Sequence, residues 1–179
     1  MATKKPKTSE ADSLRATAPS RLLELFYPIY YSVGFAIANT LRCGELSRQQ
    51  ATILWLIHSE GVGGQGMRRK DIEKFLRDWF EITNSAISKA LRALARPPHG
   101  FITLIEDPNS GREKLVHLTP KGAALVEKMM ANGRLHCAWI ADRLTDEDLA
   151  AGIRFMSSVS NFAAEWPGVD GLPKRPRRT

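Results

Sequence analysis

The sequence is poor in cysteine: Cys43 and Cys137 are the only two in 179 residues. Two cannot form a disulfide framework, which excludes a small secreted scaffold of that type. It also lacks a long apolar run. The longest uncharged stretch, Leu25 to Leu41, is interrupted by Pro28, three tyrosines, Asn39 and Thr40, and is too short and polar for a membrane span. The opening MATKKPKTSEADSLR carries charges with no apolar segment behind them, so no secretory signal is expected and a cytoplasmic protein is. Histidine is scarce too. His58, His99, His117 and His136 show no metal-ligand spacing among themselves or with the cysteines, so neither a metal nor a cofactor is expected. The GxSxG, Walker and dinucleotide fingerprints are missing. The run Gly61-Val62-Gly63-Gly64-Gln65-Gly66 has no strand before it and no GK[ST] after it, so it reads as a loop. An enzyme is not expected.

What the sequence has in excess is positive charge, with 26 Lys+Arg against 19 Asp+Glu, a net +7. The excess is localised. Residues 67–122 carry a net +4 and the two ends, 1–19 and 167–179, carry +2 and +3, while 123–166 are net negative. A basic middle on a chain of pI near 9.7 points to a polyanion partner, nucleic acid first. At 43% hydrophobic and 25% charged, the chain is otherwise an ordinary globular protein.

Hydrophobic spacing divides the chain into helices and one hairpin. A first helix is expected from about Ser20 to Arg42, with Leu22, Phe26, Ile29, Val33, Ala36 and Thr40 as one continuous stripe. A second runs from about Ser47, a plausible N-cap, to Ser59, with Ile53, Leu54 and Ile57 on one face. A third, near Arg69 to Phe80, aligns Ile72, Phe75, Leu76 and Trp79. A fourth, near Asn84 to Ala95, aligns Ile87, Ala90, Leu91 and Leu94 before Pro97-Pro98 stops it. Two β-prone runs, Phe101 to Ile105 and Lys114 to Leu118, flank the turn Asp107-Pro108-Asn109-Ser110-Gly111 and read as a hairpin. Thr119 and Pro120 open a fifth helix that continues to about Leu144, with Val126, Met130, Gly133, Cys137, Ile140 and Leu144 on a heptad-like seam. Thr145 caps a last helix with Asp146, Glu147 and Asp148 in its first turn and Leu149, Ile153, Met156, Val159, Ala163 and Trp166 on its apolar side.

Four helices followed by a hairpin is the order of a winged helix-turn-helix. On the outer face of the fourth helix Asn84, Ser88 and Arg92 follow one another at four-residue steps, beside Ser85 and Lys89. Small polar residues let a backbone approach a groove, and Asn and Arg can make bidentate contacts to base edges. In the hairpin, Arg112 beside Asn109, Ser110 and Gly111 suits a narrow minor groove, whose negative potential favours a guanidinium. Arg68, Arg69 and Lys70 open the third helix at the end where the dipole disfavours cations, so phosphate contact is the more economical reading.

With these residues in place, LSRQQATILWLI, ITNSAISKALRAL and FITLIEDPNSGREKLVHLTPKG, spanning 46–122, resemble the multiple-antibiotic-resistance regulator (MarR) family of winged-helix repressors. The resemblance implies a mainly α fold with a small β wing, a winged helix-turn-helix flanked by long dimerisation helices. It implies a flexible basic tail over 1–19, a dimerisation helix over 20–45, the DNA-binding lobe over 46–122, long C-terminal dimerisation helices over 120–166 and a second basic tail over 167–179. It further implies a homodimer that binds a palindromic operator in double-stranded DNA, represses transcription and is released by a small aromatic ligand. Asn84, Ser85, Ser88, Lys89 and Arg92 would then enter the major groove and Arg112 the minor. The chain departs from the family at Ser110, where an acidic residue is frequent, and in a longer linker from Arg77 to Thr83. A fifth helix of about 25 residues would span roughly 37 Å, and half-sites about one helical turn, roughly 10 bp, apart follow.

Three further readings complete the expectation. Tyr27, Tyr30, Tyr31, Trp55 and His58 offer rings and hydroxyls for an aromatic effector, although core and dimer packing accounts for most of them. Cys43 next to Arg42 is a candidate redox residue, because a cation favours the thiolate, whereas Cys137 reads as a small core residue. The alternative function is a protein-interaction module whose basic surface docks an acidic protein, since winged-helix architecture alone does not establish DNA readout.

Overall fold

The structure, a computed structural model, describes residues 10–80, 82–107 and 110–163. These form two compact units that divide between His136 and Cys137.

The first unit opens with α1 (Glu10–Pro28), a π-helical turn (Ile29–Gly34) and α2 (Phe35–Leu41). Helix therefore begins ahead of the expected Ser20 and runs through Pro19. Residues 10–19 are helical rather than a flexible tail, while 1–9 and 167–179 lie outside the described residues. The π turn is also unanticipated. Phe35 N–H donates to the carbonyl of Tyr30, five residues back. That extra residue turns the chain beyond it by about 100° relative to an unbroken α-helix. The expected stripe accordingly splits. Leu22, Phe26 and Ile29 are exposed, whereas Val33, Ala36 and Thr40 are half-buried.

The chain turns at Cys43, whose φ of 52° is unusual for a residue with a side chain, and at Gly44. Helix α3 (Arg48–Glu60) starts at a complete capping box. Ser47 Oγ accepts from the Gln50 N–H at 3.2 Å, and Gln50 Oε1 accepts from the Ser47 N–H at 2.8 Å. The glycine-rich run after α3 is not only a loop. It ends in a short strand, β1 (Gly66–Arg68), paired antiparallel with the hairpin. Gly66 lets the His117 ring lie close there, since a Cβ would come within 2.5 Å of it and force the ring to move.

Helices α4 (Arg69–Trp79) and α5 (Asn84–Ala95) follow, then β2 (Ile102–Asp107) and β3 (Ser110–Leu118). The sheet order is β1-β3-β2, all antiparallel. The strands reach further toward the tip than expected, with Asp107 opposite Ser110 and a register irregularity after Glu106.

Helix α6 (Pro120–Ala141) is tied to the start of β2. Thr119 Oγ1 accepts from the Gly122 N–H at 3.0 Å and donates to the Gly100 carbonyl at 2.8 Å. The Thr119 N–H donates to the Phe101 carbonyl at 3.0 Å. A Cβ on Gly122 would sit 1.9 Å from that same carbonyl oxygen, so only glycine allows the approach.

The core lies inside the winged-helix lobe. Leu46, Ile53, Leu54, Leu56 and Ile57 meet Ile72 and Leu76 of α4, Ile87, Leu91 and Leu94 of α5, Ile102 and Val116 of the sheet, and Leu125, Val126 and Met129 of α6. The α3, α4 and α5 faces read from spacing are thus the buried ones, with Phe75 and Ala90 packed at the margin, while the Trp79 side chain lies outside what the structure describes. The heptad seam continues this core only in part. Val126 is buried and Met130 half-buried, but Cys137 is exposed in the single chain rather than a core residue.

The second unit holds the last turn of α6 and α7 (Asp146–Ala163). Thr145 Oγ1 caps α7 by accepting from the Asp148 N–H at 3.1 Å, and Asp146, Glu147 and Asp148 fill its first turn. On its apolar side Ile153 and Met156 are exposed. Among the described residues, no helix is long and apolar enough to cross a membrane.

Candidate nucleic-acid interface

Helix α5 begins where Thr83 Oγ1 accepts the Ala86 N–H at 3.2 Å. Its buried side carries Ile87, Leu91 and Leu94, so the opposite side is fixed outward by the helical period. There the structure gathers the sequence-predicted residues: Asn84, Ser85, Lys89 and Arg92 are exposed and Ser88 is half-buried. The hairpin β2–β3 supplies the second element. Ser110 is half-buried opposite Asp107, Arg112 belongs to β3 by its backbone, and Asn109 lies outside the described residues.

The three cations that open α4 each have a carboxylate partner within the protein. Arg68 Nε donates to Asp71 Oδ2 at 2.8 Å, and Asp71 pushes the Arg68 guanidinium above its ordinary range. Arg69 Nε donates to Glu73 Oε1 at 2.7 Å, and its Nη2 donates to Ser88 Oγ at 2.9 Å. Lys70 pairs with Glu113 of β3. Carboxylates three and four residues on offset the unfavourable dipole locally, and the Lys70 pair links α4 to the wing. A second arginine of α4 also reaches α5, which the sequence did not signal. Arg77 Nη1 donates to Asn84 Oδ1 at 2.9 Å.

The aromatic candidates separate. Two small adjoining cavities of ≈ 180 Å³ each share Ala38, Arg48, Thr52 and Phe80. Tyr30 lines one and Trp55 the other, but Tyr27, Tyr31 and His58 line neither. Tyr27 and Tyr31 pack against each other instead, their rings tilted with centroids 4.6 Å apart, and Tyr27 raises the Tyr31 hydroxyl above the usual phenol range. His58 faces Trp55, with centroids 6.1 Å apart. The sequence reading missed Phe35, Phe80 and Arg48, whose guanidinium lies 4.2 Å over the Phe35 ring. Each cavity is smaller than the roughly 300 Å³ at which ligand pockets begin.

At Cys43 burial outweighs the pull of the Lys128 cation on the thiol. Burial pushes its thiol above the ordinary range, and Arg42 Nε is committed to the Leu46 carbonyl at 2.7 Å. The Asn132 amide donates to Cys43 Sγ at 3.5 Å.

Residues 46–122 match the family described as a winged helix DNA-binding domain. No curated protein matches the sequence significantly. Among solved structures, a MarR family transcription regulator is 17% identical with a TM-score of 0.64, covering 87% of this chain and 97% of its own. Wild-type MarR from E. coli, in its apo form, is 20% identical with a TM-score of 0.61, covering 77% of this chain and 95% of its own. A cysteine-to-serine mutant of E. coli MarR complexed with operator DNA is 19% identical with a TM-score of 0.56, covering 80% of this chain and 96% of its own.

Proposed function

We propose that this chain, which has the MarR-family winged-helix fold, is a cytoplasmic DNA-binding transcriptional regulator that reads a palindromic operator as a homodimer and acts as a repressor. The observation that carries this reading is the outward face of α5. Asn84, Ser85, Ser88, Lys89 and Arg92 form one polar and basic surface backed by buried Ile87, Leu91 and Leu94. The wing, with Arg112 in β3, lies next in the same lobe. Such a helix places side chains at base edges while a basic lobe tracks phosphate.

Dimerisation is supported by apolar side chains that one chain leaves in water. Leu14, Leu23 and Tyr27 on α1 are 67–72% exposed, and Ile153 on α7 is 66% exposed. Long helices whose apolar side chains stay this exposed are suited to a partner surface. Two copies then set two α5 helices about 10 bp apart, or a multiple of it. Release by a small aromatic ligand is the finer part of the proposal. The paired cavities beside Tyr30 and Trp55 would have to open, with Arg48 available to an anionic group.

Selection of bound fragments from a random duplex pool, followed by titration of the winner at several salt concentrations, tests the reading. A palindromic winner bound well above random DNA is expected. No enriched sequence, with binding that vanishes as salt rises, would overturn it and favour docking of an acidic protein.

A further inference from the structure

We infer that Arg77 and Arg69, both on α4, determine which bases α5 reads, by occupying the acceptor oxygens of Asn84 and Ser88 and leaving these residues to act as donors. This rests on the proposal that α5 enters the major groove.

A guanidinium has five N–H donors and no acceptor, so its partner on a carboxamide must be the oxygen. The 2.9 Å contact from Arg77 Nη1 to Asn84 Oδ1 therefore fixes the orientation of the amide. Nδ2 keeps both of its hydrogens to donate, on a residue that is exposed. An unassisted asparagine prefers adenine, because its oxygen accepts from N6 while its nitrogen donates to N7. Here a cation already sits on that oxygen and repels a second incoming donor, while polarising the amide so that Nδ2 donates more strongly.

The same chemistry recurs one turn along the helix. Arg69 Nη2 donates to Ser88 Oγ at 2.9 Å, and Arg69 is itself held by Glu73 at 2.7 Å. With Arg69 on one lone pair, the Ser88 hydroxyl keeps its own hydrogen to donate. Lys89 and Arg92 have no acceptor to offer. The oxygens of Asn84 and Ser88 each keep a second lone pair, but it lies beside a guanidinium that repels an incoming donor, so four of the five outward residues of α5 present hydrogens in preference.

Base edges in the major groove differ in that respect. Guanine shows two acceptors, N7 and O6, whereas adenine adds the N6 donor and cytosine shows only the N4 donor. A face that prefers to donate matches the two acceptors of guanine, finds only one, O4, on thymine, and leaves adenine N6 and cytosine N4 without partners. Arg77 and Arg69 are positioning residues in this scheme, acting on the bases through Asn84 and Ser88.

The test uses the full chain and its Arg77→Ala, Asn84→Ala and doubly substituted forms, each put through fragment selection from a random duplex pool. In the wild type, guanine is expected at the position whose preference Asn84→Ala flattens. Arg77→Ala is expected to shift the guanine-to-adenine ratio there by roughly fivefold or more toward adenine, the lower end of bidentate discrimination. In the Asn84→Ala background the same substitution should no longer move base preference. Arg77→Lys, which keeps a donor, should retain guanine. An adenine preference in the wild type, an equal loss on all sequences in Arg77→Ala, or an effect that survives Asn84→Ala would overturn the inference and leave DNA reading standing. Absence of any enriched sequence in the wild type would overturn both.

Discussion

The winged-helix lobe and the helices that flank it use the same residue types to opposite ends. In the lobe, Ile53, Leu54, Ile57, Ile72, Leu76, Ile87, Leu94 and Val116 are wholly buried, each contributing about 1.5–3 kcal/mol of transfer free energy. Among the described side chains of α1, the π turn, α2 and α7, none is fully buried, although Leu14, Leu23 and Ile153 are as apolar as anything in the core. The lobe meets its hydrophobic demand from its own sequence. The flanking helices do not, and their apolar faces need a partner surface. A sequence pattern reports that a face must be buried and is silent on whose atoms bury it.

This contrast can be broken at its strongest point by placing a methyl group at Gly122. Gly122→Ala would push a Cβ to within 1.9 Å of the Phe101 carbonyl oxygen, and the expected destabilisation is about 3 kcal/mol or more. Denaturant unfolding measures it, and an unchanged midpoint would show that α6 and β2 are not locked together. Next in size, Arg92→Ala should weaken specific DNA binding by about 1–3 kcal/mol while leaving the lobe folded. Equal losses on specific and random duplexes would assign Arg92 to phosphate.

The flanking helices can be probed with Ile153→Glu. Sedimentation should show self-association weakened at least about tenfold, about 1.4 kcal/mol, and an unaltered dimer would remove α7 from the interface. Within the lobe, Ser47→Ala removes half of the capping box at α3 and should lower stability by about 1 kcal/mol. Retained stability would mean that water satisfies those amides equally well. The smallest effect concerns Cys43, whose thiol pKa is raised by burial. Its thiolate fraction at a given pH is below that of a free thiol, so alkylation should be slower near pH 8 and should still be accelerating above the ordinary thiol range. A rate matching a free thiol would restore the redox reading.

How much of this was legible in the sequence follows from the range of the forces involved. Helices α3, α4 and α5 start and stop within about a residue of expectation because caps and core periodicity are local. Ser47 carries its own N-cap chemistry, and the outward row of α5 follows from Ile87, Leu91 and Leu94 facing inward. The β1 strand was hidden, since Gly66 is chosen for the His117 ring, and that neighbour lies across the sheet. The early start at Glu10 was hidden because Pro19 in the interior argues against a helix that nonetheless continues. One inserted residue at the π turn divided a stripe that looked continuous on paper. At the candidate interface, the outward residues were readable but their hydrogen-bond states were not. The partners of Asn84 and Ser88 come from another helix, at separations of 7 and 19 residues.

The join between the sheet and α6 has a mechanical meaning. Thr119 grips Gly100 and Phe101, Gly122 lies flush against the Phe101 carbonyl, and Lys121 Nζ donates to the Pro98 carbonyl at 2.7 Å. These short ties join the foot of the hairpin to the first turn of α6. A roll of that turn would be handed directly to β2, as a shaft turns the pointer fixed to it.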